Sequence, residues 1–314
     1  MGSFVDGRTG RAAPALKKFF DHLSLTAWVL SSRRVSRLWL QAVVGRWVFD
    51  FQHRRPCFGA LEAVWSVLPG FHGWRPMPKH VGYDFLMCCG LVPLMFCDMR
   101  AQFDRTVYCT DASEHGAGAC RSKGLTAFGL EEGVLFGKLP AGTVDEDRVA
   151  HALVLELLRR ADHKGTDVRL DLGTPFRSKA WPREEVSPKR WHWQEILSFR
   201  WATLGSHINE YELHALFSLV RWLARGAGNV NRRFCVLLDS MVVLSVAAKG
   251  RSSSKRLNHI LRRLNAHLLA CSMFPFFGYV SSQANPADKP SRCFSRLGGV
   301  SVGNEQRRPS DGSA

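Results

Sequence analysis

Four carboxylates stand where side-chain oxygens could serve a shared ligand: Asp111 in Thr-Asp-Ala-Ser, Glu212 in Ile-Asn-Glu-Tyr-Glu-Leu, Asp239 in Leu-Leu-Asp-Ser and Asp288 in Asn-Pro-Ala-Asp. Carboxylates are hard ligands, and two divalent cations held close together need several such oxygens converging from different elements of one fold. Each residue also has a purely structural reading. An Asp closing a strand is commonly a turn or helix N-cap residue, which covers Asp111 and Asp239 taken singly. Asn209-x-x-Glu212 ahead of an apolar run has the form of a capping box, in which the Glu only satisfies a backbone amide; Glu210 is then the rival carboxylate. Asp288 follows Pro286 at the start of a short helix, a place the helix dipole favours for any Asp. The ordered set, Asp, Glu, Asp, Asp, points to metal chemistry more than any one member does.

The elements that must position these groups are legible from periodicity. From Arg105, Thr-Val-Tyr-Cys-Thr-Asp is a short β-type run ending at Asp111, and Gly116 to Cys120 is its hairpin return, where Gly and Ala permit close backbone approach. From Phe199 the order is strand, helix, strand, helix, helix, strand, helix. Leu213, Leu216, Val220 and Leu223 line one helix, and Phe234 to Leu238 is a continuous apolar strand ahead of Asp239. Leu257, Ile260, Leu261, Leu264 and Leu268 line another helix, and Phe274 to Val280 is the final strand. Such alternation predicts an α/β domain with a partly parallel sheet, in which side chains at the carboxyl ends of adjacent strands share a crevice.

Upstream, residues 15–70 read as helical from Val35, Leu38, Ala42, Val43 and Val48, then Leu61, Val64, Trp65 and Val67; a further helix is predicted from Tyr83 to Gln102. Residues 123–198 read as an insertion with a helix at Arg148 to Arg160 and a connection carrying Trp181, Trp191 and Trp193. Its Asp145, Glu146 and Asp147 suit a helix N-terminus, with cation binding as the alternative. The tail from Gly298 has a disordered composition. The expected organisation is a helical region over 1–103, an α/β domain over 104–297 with the insertion at about 123–198, and a tail over 298–314.

With 43 Lys and Arg against 27 Asp and Glu, the formal charge is +16. That favours a polyanionic partner, nucleic acid first, over a basic surface that serves solubility alone. The nine cysteines show no Cys-x-x-Cys pair or His-x-x-x-His partner, which suits reduced core thiols in an intracellular protein of the nucleus or cytoplasm. The apolar run Phe85 to Cys97 is broken by Gly90 and Pro93 and falls short of the roughly 20 residues a spanning helix needs, so no membrane segment is expected. Asp6, Arg8 and Arg11 are unlike a signal peptide.

Together the stretches around Asp111, Glu212, Asp239 and Asp288 resemble the ribonuclease H domain of reverse transcriptases from DIRS-like and related retroelements. The resemblance covers residues 104–296 apart from the insertion, and includes the Gly250-Arg-Ser-Ser-Ser254 loop. Leu38 to Trp47, ending in Val-Val-Gly-Arg-Trp, and Arg54-Arg-Pro56 look like the segment that follows the polymerase palm. It implies a ribonuclease H-like mixed five-stranded sheet with helices on both faces. It also implies an endonuclease that cuts the RNA of RNA:DNA hybrids, with Asp111, Glu212, Asp239 and Asp288 holding two Mg2+ ions, or Mn2+. Arg251, Lys255, Arg256, Arg262 and Arg263, with Ser113, would meet the nucleic acid; on a helix these basic residues equally suit a solvated face. No Tyr-x-Asp-Asp of a palm is present, and the loop Tyr279 to Ala284 lacks the His that many ribonucleases H carry. The alternatives are an inactive nucleic-acid-binding remnant and a DDE-type integrase or transposase, whose closing helix usually carries Glu.

Overall fold

The computed structural model describes residues 2–122 and 192–294. The chain opens with a hairpin, β1 (Ser3–Asp6) and β2 (Arg11–Pro14), and continues through α1 (Leu16–Ser31), α2 (Arg37–Asp50), α3 (Ala63–Val67) and α4 (Lys79–Gly90). Their shared core is built on Leu40, Val43, Val44, Trp47, Phe51, Val64 and Phe85. Inside it, Trp47 Nε1 donates to Thr26 Oγ1 at 3.1 Å and His22 Nδ1 lies 2.6 Å from Asp50 Oδ2.

Two features depart from the helical expectation. The hairpin joins β3 (Cys97–Asp98) in a three-stranded antiparallel sheet. Its strands are too short to leave a periodic signal, and its turn is made by Asp6, which accepts from Arg8 N and Thr9 Oγ1. The helix predicted from Tyr83 to Gln102 stops at Gly90. Pro93 sits in a single 3-10 turn, Val92–Leu94, after which the chain is extended.

Next come β4 (Gln102–Ala112), β5 (Gly116–Ser122), β6 (Gln194–Arg200), α5 (Ile208–Leu223), β7 (Arg232–Leu238), α6 (Met241–Lys249), α7 (Lys255–Ala270), β8 (Phe274–Tyr279) and α8 (Asp288–Ser291). The strands form one mixed sheet ordered β6-β5-β4-β7-β8. β4, β5 and β6 are antiparallel neighbours; β4, β7 and β8 run parallel. This is the mixed five-stranded α/β sheet, partly parallel, that the alternation of elements predicted and the resemblance implied. The strand read from Phe199 begins five residues earlier, at Gln194, because its half-buried Gln-Glu-Ile-Leu-Ser-Phe-Arg pattern gives its start little periodic signal. Asp145 to Asp147, the helix at Arg148 to Arg160, Trp181, Trp191 and the tail from Gly298 lie outside the described residues.

The strand period of two sorts the core into two layers. Tyr108, Phe234, Val236 and Leu238 pack with Leu213, Leu216 and Val220 of α5 and Leu257, Ile260, Leu261 and Leu264 of α7. Val107, Cys109, Cys235 and Leu237 face the other way, against Val280 and Ala287. On that face α8 lies so close that a Cβ at Gly118 would come 2.6 Å from Ala287 O and 2.7 Å from Ser291 N. All nine cysteines are free. No helix among the described residues is long and apolar enough to cross a membrane.

The helical region is tied to the sheet domain by polar contacts, those of Arg54 buried and that of Arg262 partly exposed. Arg54 Nη2 donates to Leu268 O and Met273 O, both at 2.9 Å, with its guanidinium 3.9 Å from the Phe274 ring centroid. Arg262 meets Glu62 at 2.9 Å.

Candidate metal centre

Strand register alone brings two carboxylates together. β4 and β7 pair in parallel with Cys109 opposite Leu237, so Asp111 and Asp239, each two residues further on, leave the sheet at the same end and on the same face. Glu212 arrives from the second turn of α5 and is buried. The capping box does not form. α5 starts at Ile208, its N-cap is His207, whose Nδ1 accepts from Asn209 N at 3.2 Å, and Asn209 is already inside the helix. Glu210 occupies the first turn and meets Arg256 at 3.5 Å, which leaves Glu212 free to face the strand ends. One ligand oxygen from each of Asp111, Glu212 and Asp239 lies within 4.8 Å of the others.

Three residues that sequence reasoning passed over orient this triad. Ser291 Oγ donates to Asp111 Oδ2. Asn285 Nδ2 donates to Thr110 O at 3.1 Å and reaches Asp111 Oδ1 at 3.4 Å. Ser282 Oγ donates to Asp239 Oδ2 at 2.9 Å. Asn285 and Ser291 stand in the same short stretch as Asp288, which was the available signal, but nothing local identified Asp111 as their partner. Asp288 itself lies outside the triad. Its Oδ1 accepts from Arg292 Nε at 2.7 Å, and it acts on Asp111 through its charge.

Burial and mutual repulsion dominate the electrostatics. Glu212 is pushed up to about 9, first by burial and then by the charges of Asp239 and Asp111. Asp111 is also raised by burial, against the lowering effect of the Ser291 hydroxyl, with Asp239 and Asp288 adding repulsion. Asp239 Oδ1 is buried with no hydrogen-bond partner. A divalent cation fits this donor set: it would take the orphaned oxygen and neutralise the charges that the fold brings together.

The basic residues take several separate positions. Arg262 is held by Glu62 and by Met87 Sδ, and Arg263 lies 4.8 Å from the Phe217 ring centroid. Arg256 is exposed beside Glu210. Arg251 and Lys255 line a cleft of about 510 Å³ with Trp65, Ser252, Ser253 and Asn258. Ser113 closes the β4–β5 turn by accepting from His115 N and Gly116 N, and donates to Ser291 O at 2.7 Å.

No protein-family model and no curated protein matches this chain. Among solved structures it is similar to a foamy viral protease-reverse transcriptase in complex with RNA/DNA hybrid, at 10% identity and a TM-score of 0.25, over 94% of this chain. The chain spans about half, 52%, of that protein.

Proposed function

We propose that the chain is a metal-dependent ribonuclease H-type endonuclease that cleaves the RNA strand of RNA:DNA hybrids. The observation that carries the reading is the convergence of Asp111, Glu212 and Asp239 from two parallel strands and a crossing helix, with Asp239 Oδ1 unsatisfied. When bound, a pair of Mg2+ ions supplies activation of the attacking water and stabilisation of the leaving 3′ oxygen.

The chain's own contribution is positioning and charge. Asp111, Glu212 and Asp239 bring oxygens to one point at the sheet end, while Ser291, Asn285 and Ser282 hold two of these carboxylates in register. Asp288, held by Arg292, would serve a second cation when a pair is bound. Arg251, Lys255 and Arg256 meet backbone phosphates, in keeping with the +16 charge. The choice of hybrid over duplex DNA rests on the resemblance of the four carboxylate motifs to retroelement ribonuclease H domains.

The test is cleavage of a labelled RNA:DNA hybrid with and without Mg2+, beside Asp239→Asn. The expected result is Mg2+-dependent cutting of the RNA strand, reduced by a factor of about 10³ or more in the variant while hybrid binding is kept or tightened. Binding without Mg2+-dependent cleavage would leave the chain a nucleic-acid-binding remnant, and strand transfer on DNA ends would favour an integrase-like protein.

A further inference from the structure

Far along the sequence from the carboxylates, the helical region carries a row of three indoles in mutual contact. Trp28 near the end of α1 lies 4.1 Å, centroid to centroid, from Trp39 of α2, and Trp39 lies 4.8 Å from Trp74 in an edge-on arrangement. The backbone bridge between Val35 and Arg75 holds the α1–α2 connection against the segment carrying Trp74. Large aromatic side chains normally bury most of their surface, yet Trp28 is 50% and Trp74 is 52% exposed.

The charges around this row have one sign. Arg33, Arg34, Arg37 and Arg75 flank it and are exposed. None of them makes a side-chain hydrogen bond or ion pair among the described residues. Residues 22–49 and 63–83, which carry the three indoles and the four arginines, contain no Asp or Glu. An apolar protein partner would not call for four guanidinium groups without an acidic neighbour, and a phosphate alone would not call for open indole faces.

We propose that this face is a stacking platform for single-stranded nucleic acid. Unpaired bases lie against Trp28 and Trp74, and Arg33, Arg34, Arg37 and Arg75 meet the phosphates between them. A strand in a duplex already has its base faces stacked, so the indoles select unpaired nucleotides. Indole faces accept any base, and nothing in the row distinguishes a ribose, so DNA and RNA are taken alike. This site shares no residue with the carboxylate centre and does not rest on the hydrolytic reading.

The experiment uses the full chain and fluorescence anisotropy of labelled oligo-dT, oligo-rU and a blunt DNA duplex. Trp28→Ala with Trp74→Ala should weaken both single strands by about tenfold for each lost indole, and leave the blunt duplex within about twofold. The corresponding Tyr replacements should recover most of the loss. Arg33→Gln with Arg34→Gln, exposed changes that leave the aromatic row intact, should flatten the log affinity against log salt slope for single strands by about 0.7 per lost phosphate contact. This pair decides the matter if the Ala variant melts early. The proposal is overturned if the Trp variants bind single strands like the unaltered chain, or lose single strands and duplex equally. It is also overturned if sedimentation shows that they abolish self-association, which would make the row an interface between copies.

Discussion

Glu212 is the carboxylate whose charge state a cation would change most. In an unfolded chain a Glu loses its proton near pH 4.3, whereas in the fold burial and the neighbouring Asp charges hold that proton up to about 9. Across that window the unfolded state gives up a proton the folded state keeps. Without metal, the stability tied to Glu212 is therefore complete in acid and declines as pH rises toward about 9. A bound cation keeps the carboxyl ionised and removes the decline. The rise in melting temperature on adding Mg2+ should thus be larger near pH 8 than near pH 5, because only at the higher pH is the uncompensated carboxylate costly. Equal shifts at both pH values would argue against a shared ion. Glu212→Gln should flatten the metal-free profile, raise stability near pH 8 by about 1 kcal/mol or more, and abolish the response to Mg2+. Ser291→Ala belongs to the same scale. It frees one oxygen of Asp111 without removing a ligand, so the Mg2+ concentration needed for half-maximal cleavage should rise by about tenfold, the effect usual for supporting groups.

The connection between α6 and α7 joins local conformation to nucleic-acid contact. Gly250 ends α6 at a φ of 72°, and a Cβ there would lie 2.2 Å from the carbonyl oxygen of Arg55. Gly250→Ala combines left-handed strain with a collision against backbone, and should destabilise by about 2 kcal/mol or more in urea unfolding. Ser254→Ala removes the N-cap of α7, which accepts from Leu257 N, and should cost about 1 kcal/mol. The residues displayed just past this turn are those the proposed function places against phosphates. Replacing Arg251, Lys255 and Arg256 together with Ala should weaken all hybrids alike and flatten the salt slope by about 0.9 per lost contact; an unchanged slope would place the hybrid track elsewhere. Elements of this size were the most legible part of the sequence. The apolar stripes of α5 and α7 and the strands leading to Asp111 and Asp239 follow directly from periods of 3.6 and 2, because each must bury one face. The start of α5 was harder. Asn209 and Glu212 have capping-box spacing, and only an N-cap two residues earlier, at His207, with the helix starting at Ile208, turns Glu212 into the crevice. β1 and β2 were invisible, since four residues hold too few alternations to register. The partners of Arg262 and Arg263 come from α5 and from the segment before α3, and pairings across the fold leave no mark in local spacing.

In the whole molecule, the sheet domain and the helical region are held together by Arg54. Its guanidinium is buried, satisfies two carbonyls at the end of α7 and before β8, and covers the Phe274 ring. Arg54→Ala should take one donor each from Leu268 O, which keeps its bond from Met273 N, and Met273 O, open a void against Phe274, and destabilise by about 2–4 kcal/mol. It should also separate the unfolding of the two regions, so that transitions followed through the N-terminal tryptophans and through hydrogen exchange in β7 no longer coincide. The same arrangement has a bearing on how the chain is made. Arg54 and its Leu268 partner are 214 residues apart, and Leu269, also from α7, belongs to the core of the helical region. On a ribosome, the region synthesised first therefore emerges with a gap in its core and a cation waiting for acceptors that do not yet exist. The helical region, made before the sheet domain, is sealed only after α7 has emerged, and a chaperone that shields apolar surface during that interval has its clearest target there.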